Sequence, residues 1–312
     1  MSRNTGNPIC GVIEEDMEFA ETNCSSGYQK PPWLFKGSAL YQLHLVKSET
    51  ARAFIPKECR LVEAFGYTLG GFFLASYDHS PAGIFDELVV VAGIVWNPPT
   101  SCAWAARVLV SSNDACDHGR KDVGLPSHVA RFSKRITVTP TMTKPKSKYG
   151  GLSKSIGLDA TLSSPEDGMD IRVTEIKGAS ATDICRINLT TLVPGLKSNK
   201  WMGPQIKMTL PSFSGRTEYN PNLLKYSCHM DCRVRTVQPV KVLGPSLGLE
   251  IDREQSPEDP CCKNMGSITS GDDGRDLSIS VMLSRPIIAL QFSCLKMTVE
   301  APVVISNCSR TT

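Results

Sequence analysis

Residues 64–96 read AFGYTLGGFFLASYDHSPAGIFDELVVVAGIVW, two apolar runs on either side of the turn-rich segment 78–86. Each run is either a buried strand or part of a membrane span, and the choice decides the fold. Neither reaches the roughly 18–20 unbroken apolar residues that a spanning helix needs. Glycines 66, 70 and 71 interrupt the first, and the second covers only 87–96. Aromatic and β-branched residues dominate both, while Pro81 and Gly83 supply turn chemistry between them. Both are therefore read as buried strands.

Upstream, PPWLFKGSALYQLHLV (31–46) is another β-prone run, entered through Pro31 and Pro32. Ser48 is then expected to cap a short helix, SETARAFIP (48–56), with Glu49 favourable to its dipole and Pro56 as its stop. Downstream, Asn97-Pro98-Pro99 breaks the chain before a further strand, SCAWAARVLVSS (101–112). Ser112 or Asn113 would cap a helix over NDACDHGRKDV (113–123), which Gly124 and Pro126 end. Ser127 and His128 follow directly, between two apolar segments.

From Ala130 to Asn307 the chain alternates Val/Ile/Leu/Thr-rich segments with Gly, Pro, Ser and Asp clusters. MDIRVTEIKG, ICRINLTTLV, PQIKMTLPSFSG, CRVRTVQPVKVL, DLSISVML and CLKMTVEAPVVI are all read as strands. This pattern predicts a mainly β protein with a few short helices, antiparallel or barrel-like. Residues 252–275 lack apolar periodicity and read as a surface loop or disordered insert. The acidic, aromatic-poor residues 1–29 read as a poorly ordered tail ahead of a single domain over 30–312.

A net charge of +3 with both signs interspersed gives no extended basic face, which argues against nucleic acid and anionic lipid as partners. The first residues lack the basic and apolar regions of a secretory signal, so the twelve scattered cysteines are expected to be reduced, mostly buried thiols. Glu14, Glu15, Asp16, Glu18 and Glu21 are unlike an acid-poor transit peptide, and a cytoplasmic location is expected. Without a secretory route the sequons at Asn23, Asn188 and Asn307 carry little weight.

Cys228, His229 and Cys232 are zinc-ligand types, but no second cysteine pair faces them, and idle thiols on a strand are the better reading. Cys261-Cys262 reads as surface thiols. Cys116 and His118 sit too close on a helix to face one another as nucleophile and base. No nucleophile elbow, phosphate-binding loop, dinucleotide fingerprint or zincin motif occurs. Asp78, Asp86 and Glu87 are of more interest. A carboxylate where a turn enters an apolar strand would be desolvated and its pKa raised, suiting it to acid–base or ligand-binding work. A solvated turn carboxylate is the plainer alternative. No cofactor is expected.

The run from Lys30 to Ser112, continued by ACDHGRKDVGLPSHVARFSKR and by LQFSCLKMTVEAPVVI near the C-terminus, resembles the plant neoxanthin-deficient 1 proteins. Those in turn resemble the acetoacetate decarboxylase superfamily, most strongly over Phe35 to Phe132. That superfamily implies a cone-like β-barrel with an apolar interior. Its decarboxylases carry a motif similar to G-R-E-x-x-x-x-P-K-K, whose first lysine forms a Schiff base with a β-keto acid. Desolvation and the adjacent cation keep that amine neutral. Here Gly119-Arg120 and Pro126 match the motif, while Ser127-His128 occupy the two lysine positions. A hydroxyl forms no iminium, so the electron sink for decarboxylation is missing. Lys121 and Lys134 lie several residues away. Where the decarboxylases carry an arginine for the substrate carboxylate, this chain has Leu45-Val46, with Lys47 as the nearest cation.

The resemblance implies a pocket lined by Ser127, His128, Glu87 and Arg120, and a role in forming or accumulating the xanthophyll neoxanthin. That role is expected to be noncatalytic, through an apolar ligand or a protein partner in xanthophyll synthesis. The pathway itself points to the plastid, against the N-terminal composition. The rival expectation is an enzyme of altered chemistry, a hydratase, tautomerase or isomerase, with His128 and Glu87 as acid and base. Neighbouring strand residues face opposite sides, which argues against Ser127 and His128 acting as a dyad. A homo-oligomer is left open.

Overall fold

A computed structural model of the chain describes residues 30–137, 168–189, 202–245 and 270–305. The expected tail at 1–29, Cys261-Cys262 and most of the expected insert lie outside these residues. The strand readings at 64–77 and 87–96 correspond to β2 (Tyr67–His79) and β3 (Phe85–Asn97), which pair antiparallel. β1 (Trp33–Lys47) lies on the other side of β2, and β4 (Thr100–Val110) on the other side of β3.

β8 (Gln205–Gly215), β9 (Leu223–Val237) and β11 (Arg285–Val299) complete a barrel. β1 pairs with β11, β11 with β9, β9 with β8, and β8 returns to β4 in parallel at Ala103 and Trp104. β4 divides its partners, because Val108–Val110 pair instead with the start of β5 (Ser127–Thr137). From β5 an antiparallel wing continues through β6 (Gly168–Lys177) and β7 (Ser180–Leu189) to β10 (Lys241–Leu243). A short β12 (Val303–Val304) edges β9.

Period-two alternation sorts each barrel strand between two cores. On β3, Phe85 and Val89 join the interior cluster with Phe35, Phe73, Tyr77, Phe292 and Met297. Leu88, Val90 and Ala92 point outward, into a second cluster with Ile171, Val173 and Ile187 of the wing. Gly71, at φ +130°, lies so close to the carbonyl of Gln42 that β1 and β2 leave no room for a side chain there.

Two readings need correction, one of a strand and one of a helix cap. Of the segment DLSISVML, residues 276–282 are helical, in α3 (Ser270–Met282), and residues 270–275 of the expected insert open that helix. Ser278, Ile279, Val281 and Met282 are buried, a helical spacing. The serine hydroxyls donate to carbonyls in the preceding turn, Ser278 to Arg275 and Ser280 to Asp276, which satisfies them inside the helix. In α1 (Ser48–Arg52) the cap position is Lys47, with no side-chain hydrogen bond, and Ser48 is the first helical residue. Its backbone N–H donates to Gly66 instead.

Candidate functional site

α2 (Asn113–His118) begins as its sequence suggests, with the Ser112 side chain accepting from the N–H of Ala115. It widens into a π-helical turn over Gly119–Val123, and Gly124 ends it at φ +75°. Such wide turns are frequent at functional sites. Ser214 donates its hydroxyl to the carbonyl of Val123 at 2.6 Å, tying the turn to β8. Arg120 donates through Nε to the backbone carbonyl of Ser127 at 2.7 Å, and its guanidinium lies over the Tyr219 ring. A Cβ on Gly119 would collide with the Ser127 hydroxyl, so glycine is what lets Ser127 sit against the turn.

A cavity of about 200 Å³ occupies the barrel. Its wall is mostly aromatic and aliphatic, from Phe35, Tyr41, Phe73 and Phe85 to Met230 and Met297, and the π-helical turn supplies part of it. Glu87 and Ser127 both line it. Tyr77 pairs across the strand with Phe85 and donates its hydroxyl to Glu87 Oε2 at 2.8 Å, a diagonal cross-strand contact on one face. Burial drives the Glu87 carboxyl up to about 7, more than offsetting the bond from Tyr77, which favours the ionised form.

The Ser127 hydroxyl is buried and has no hydrogen-bond partner among the described residues. Burial pushes Tyr41 and Cys228 up to about 12 and Tyr77 and Tyr226 well above the ordinary phenol range, so all four stay neutral at physiological pH. No lysine or arginine is among the described lining residues.

His128 faces the other way, as strand alternation from an inward Ser127 requires. Its Nδ1 donates to Glu175 Oε1 at 3.1 Å, and Arg107 Nη2 reaches the same oxygen at 2.6 Å. His128 and Glu87 therefore do not meet, and neither His128 nor Arg120 is among the lining residues. Arg120 acts on the site through the Ser127 backbone. Lys121 pairs with Asp117, Lys134 with Asp86, and Lys47 with Glu49, all away from the cavity.

The structure adds a residue that the spacing argument passed over. His118 lines the cavity, stacks edge-on against Trp33 at 4.7 Å, and donates from Nδ1 to Asp122 Oδ2 at 2.9 Å. The four-residue interval between His118 and Asp122 was legible as a helical pair. That the turn would face the cavity was not. Cys228 and His229 diverge. The thiol lines the cavity, whereas the imidazole meets Thr209 and Glu300 outside. Among the described residues no three His, Cys, Asp or Glu side chains are placed to hold a metal. Cys116, Cys185, Cys228, Cys232 and Cys294 are free thiols.

No family model matches the chain. Curated relatives do. It is 64% identical over 299 residues to the tomato (Solanum lycopersicum) protein NEOXANTHIN-DEFICIENT 1, covering 95% of this chain and 100% of that one. The protein of the same name from Arabidopsis thaliana is 63% identical, with 93% and 99% covered. The one from Oryza sativa is 50% identical, with 91% and 93% covered. Among solved structures, the enduracididine biosynthesis enzyme MppR complexed with pyruvate superposes with a TM-score of 0.50 at 11% identity, covering 96% of this chain and 100% of that one. Acetoacetate decarboxylase from Legionella pneumophila gives 0.46 at 12% identity, with 97% and 98% covered.

Proposed function

The chain belongs to the NEOXANTHIN-DEFICIENT 1 family, and on that premise we propose that it supports neoxanthin accumulation noncatalytically, by binding an apolar ligand in its barrel. One observation carries this reading: the cavity wall is mostly apolar, and Ser127, at the position that matches the first lysine of the decarboxylase motif, is on it. An engineered cavity of about 150 Å³ takes a benzene-sized guest. A cavity of about 200 Å³ therefore suits a small molecule or one end of a long one, and a whole xanthophyll does not fit.

Complementation of a plant knockout tests the reading. Ala103 lines the cavity, and A103L fills part of it; a melting curve checks that the variant folds. Neoxanthin is expected to stay at the knockout level with A103L and to be restored by H128A, since His128 faces away. Full rescue by a folded A103L would overturn the reading. Borohydride treatment with a β-keto acid is expected to leave the protein's mass unchanged, and a covalent adduct would restore the Schiff-base alternative.

A second reading, acid–base catalysis, is favoured by His118, whose bond to Asp122 fixes its orientation and which lines the same cavity as Glu87. It moves the enzyme hypothesis from His128 to His118. Loss of complementation in H118N with ligand binding intact is the outcome that supports it. As for location, the N-terminal composition favours the cytoplasm and a xanthophyll role favours the plastid. Imaging a C-terminal fluorescent fusion decides between them.

A further inference from the structure

The cavity's chemistry narrows what it binds, on the premise that it is a ligand site at all. A carboxylate entering it would give up its hydration in an apolar chamber of about 200 Å³. An unpaired buried charge is costly, and a buried anion is ordinarily offset by a counter-charge or a full set of hydrogen bonds. Here no lysine or arginine is among the described lining residues. Among the described lining residues His118 is the one group that could carry positive charge, and it already faces the carboxylate of Asp122. Glu87 would repel an anion whenever it is ionised.

The same wall offers hydrogen bonds to a neutral oxygen. Ser127 lines the cavity at 1% exposure, and its hydroxyl, buried beside Gly119 of the π-helical turn, has no partner among the described residues. An orphaned hydroxyl in such a place is costly unless something satisfies it. Glu87 in its protonated form donates as well as accepts, and Tyr77 fixes its position by bonding Oε2. Ser212 contributes a further hydroxyl-bearing residue to the wall.

We propose that the barrel selects an uncharged, monocycle-sized apolar group carrying a hydroxyl or carbonyl oxygen, bound through Ser127 and Glu87, and excludes carboxylic acids. The group is either a free small molecule or the terminus of a longer chain.

Titration calorimetry of the full chain at neutral pH with cyclohexanol, methylcyclohexane and cyclohexanecarboxylate tests this. Cyclohexanol is expected to bind at least about tenfold more tightly than the carboxylate. S127A should weaken cyclohexanol about fivefold, the value of one hydrogen bond, and leave methylcyclohexane unchanged. The unchanged methylcyclohexane affinity, with a melting curve for each variant, separates loss of a specific bond from loss of packing. To separate the two sources, a cyclohexanol bearing a long 4-alkyl chain is added. Binding equal to that of cyclohexanol itself assigns the site to chain termini, and its loss to free small molecules. Binding of the carboxylate as tightly as the alcohol, or binding of no probe at millimolar concentration, would overturn the proposal. The first of those results leaves the barrel a ligand site, and the wider reading then stands or falls on the A103L complementation alone.

Discussion

Replacing Glu175 by glutamine is expected to lower the unfolding free energy by about 3–5 kcal/mol, the usual cost of removing one partner of a buried ion pair. Arg107 is 6% exposed on β4 and Glu175 1% exposed on β6, with Nη2 and Oε1 2.6 Å apart. His128 on β5 donates to the same oxygen. The three residues thus bind barrel strand β4 to the wing where β5 leaves it. Burial would raise the Glu175 carboxyl, but the bond from His128 and the charge of Arg107 outweigh it and bring it down to about 2. A folded-state value below the unfolded one means that this stabilisation is present above about pH 4.5 and is lost as pH falls toward 2. Urea unfolding at pH 7 measures the variant. The double variant R107M/E175L should recover much of the loss, because no buried charge is then left alone. H128A should cost only about 1 kcal/mol, as its ring is partly exposed and Arg107 keeps its carboxylate. A loss below 1 kcal/mol in E175Q would show that solvent compensates Arg107.

The strand readings succeeded where burial on both faces forced near-continuous apolar runs. β2 and β3 lie between two cores, so their sequences carried both the element type and the rough bounds. α3 failed because Leu277, Ile279 and Val281 alternate with polar residues like a half-buried strand. Serine back-bonding and packing against the outside of the barrel overrode that local pattern. At the site, Glu87 was legible as a desolvated carboxyl because it stands where the turn enters an apolar strand. Ser127 was legible through the retained Gly-Arg and proline around it. His128 was placed on the cavity wall by alignment with a lysine pair, yet adjacent strand residues cannot both face inward. His118 and Tyr77 came from outside any motif, since only the closed barrel brings α2 and the far end of β2 to one chamber.

Glu87 should produce the opposite pH dependence. Its folded-state value, raised to about 7 chiefly by burial, exceeds the unfolded value near 4.5. The folded protein therefore holds a proton that the unfolded chain has released, and the Glu87 contribution falls as pH rises from about 4.5 to about 7. A shift of that size corresponds to a loss on the order of 3 kcal/mol. E87Q keeps the shape and can still accept from Tyr77, so its stability should match wild type at pH 4.5 and exceed it by about that amount at pH 8. Taking the difference between the two proteins cancels other groups that titrate in this window, such as the buried His44, whose pKa burial lowers. Urea midpoints at both pH values give the result. A constant difference across the range would mean that the carboxyl titrates alike in the folded and unfolded chain and is hydrated in both. Water would then reach the cavity floor, the cost of desolvating an anion there would vanish, and the exclusion of carboxylic acids would lose its physical basis. A difference that opens between pH 4.5 and 7 ties the stability of the fold and the ligand preference of the barrel to one proton.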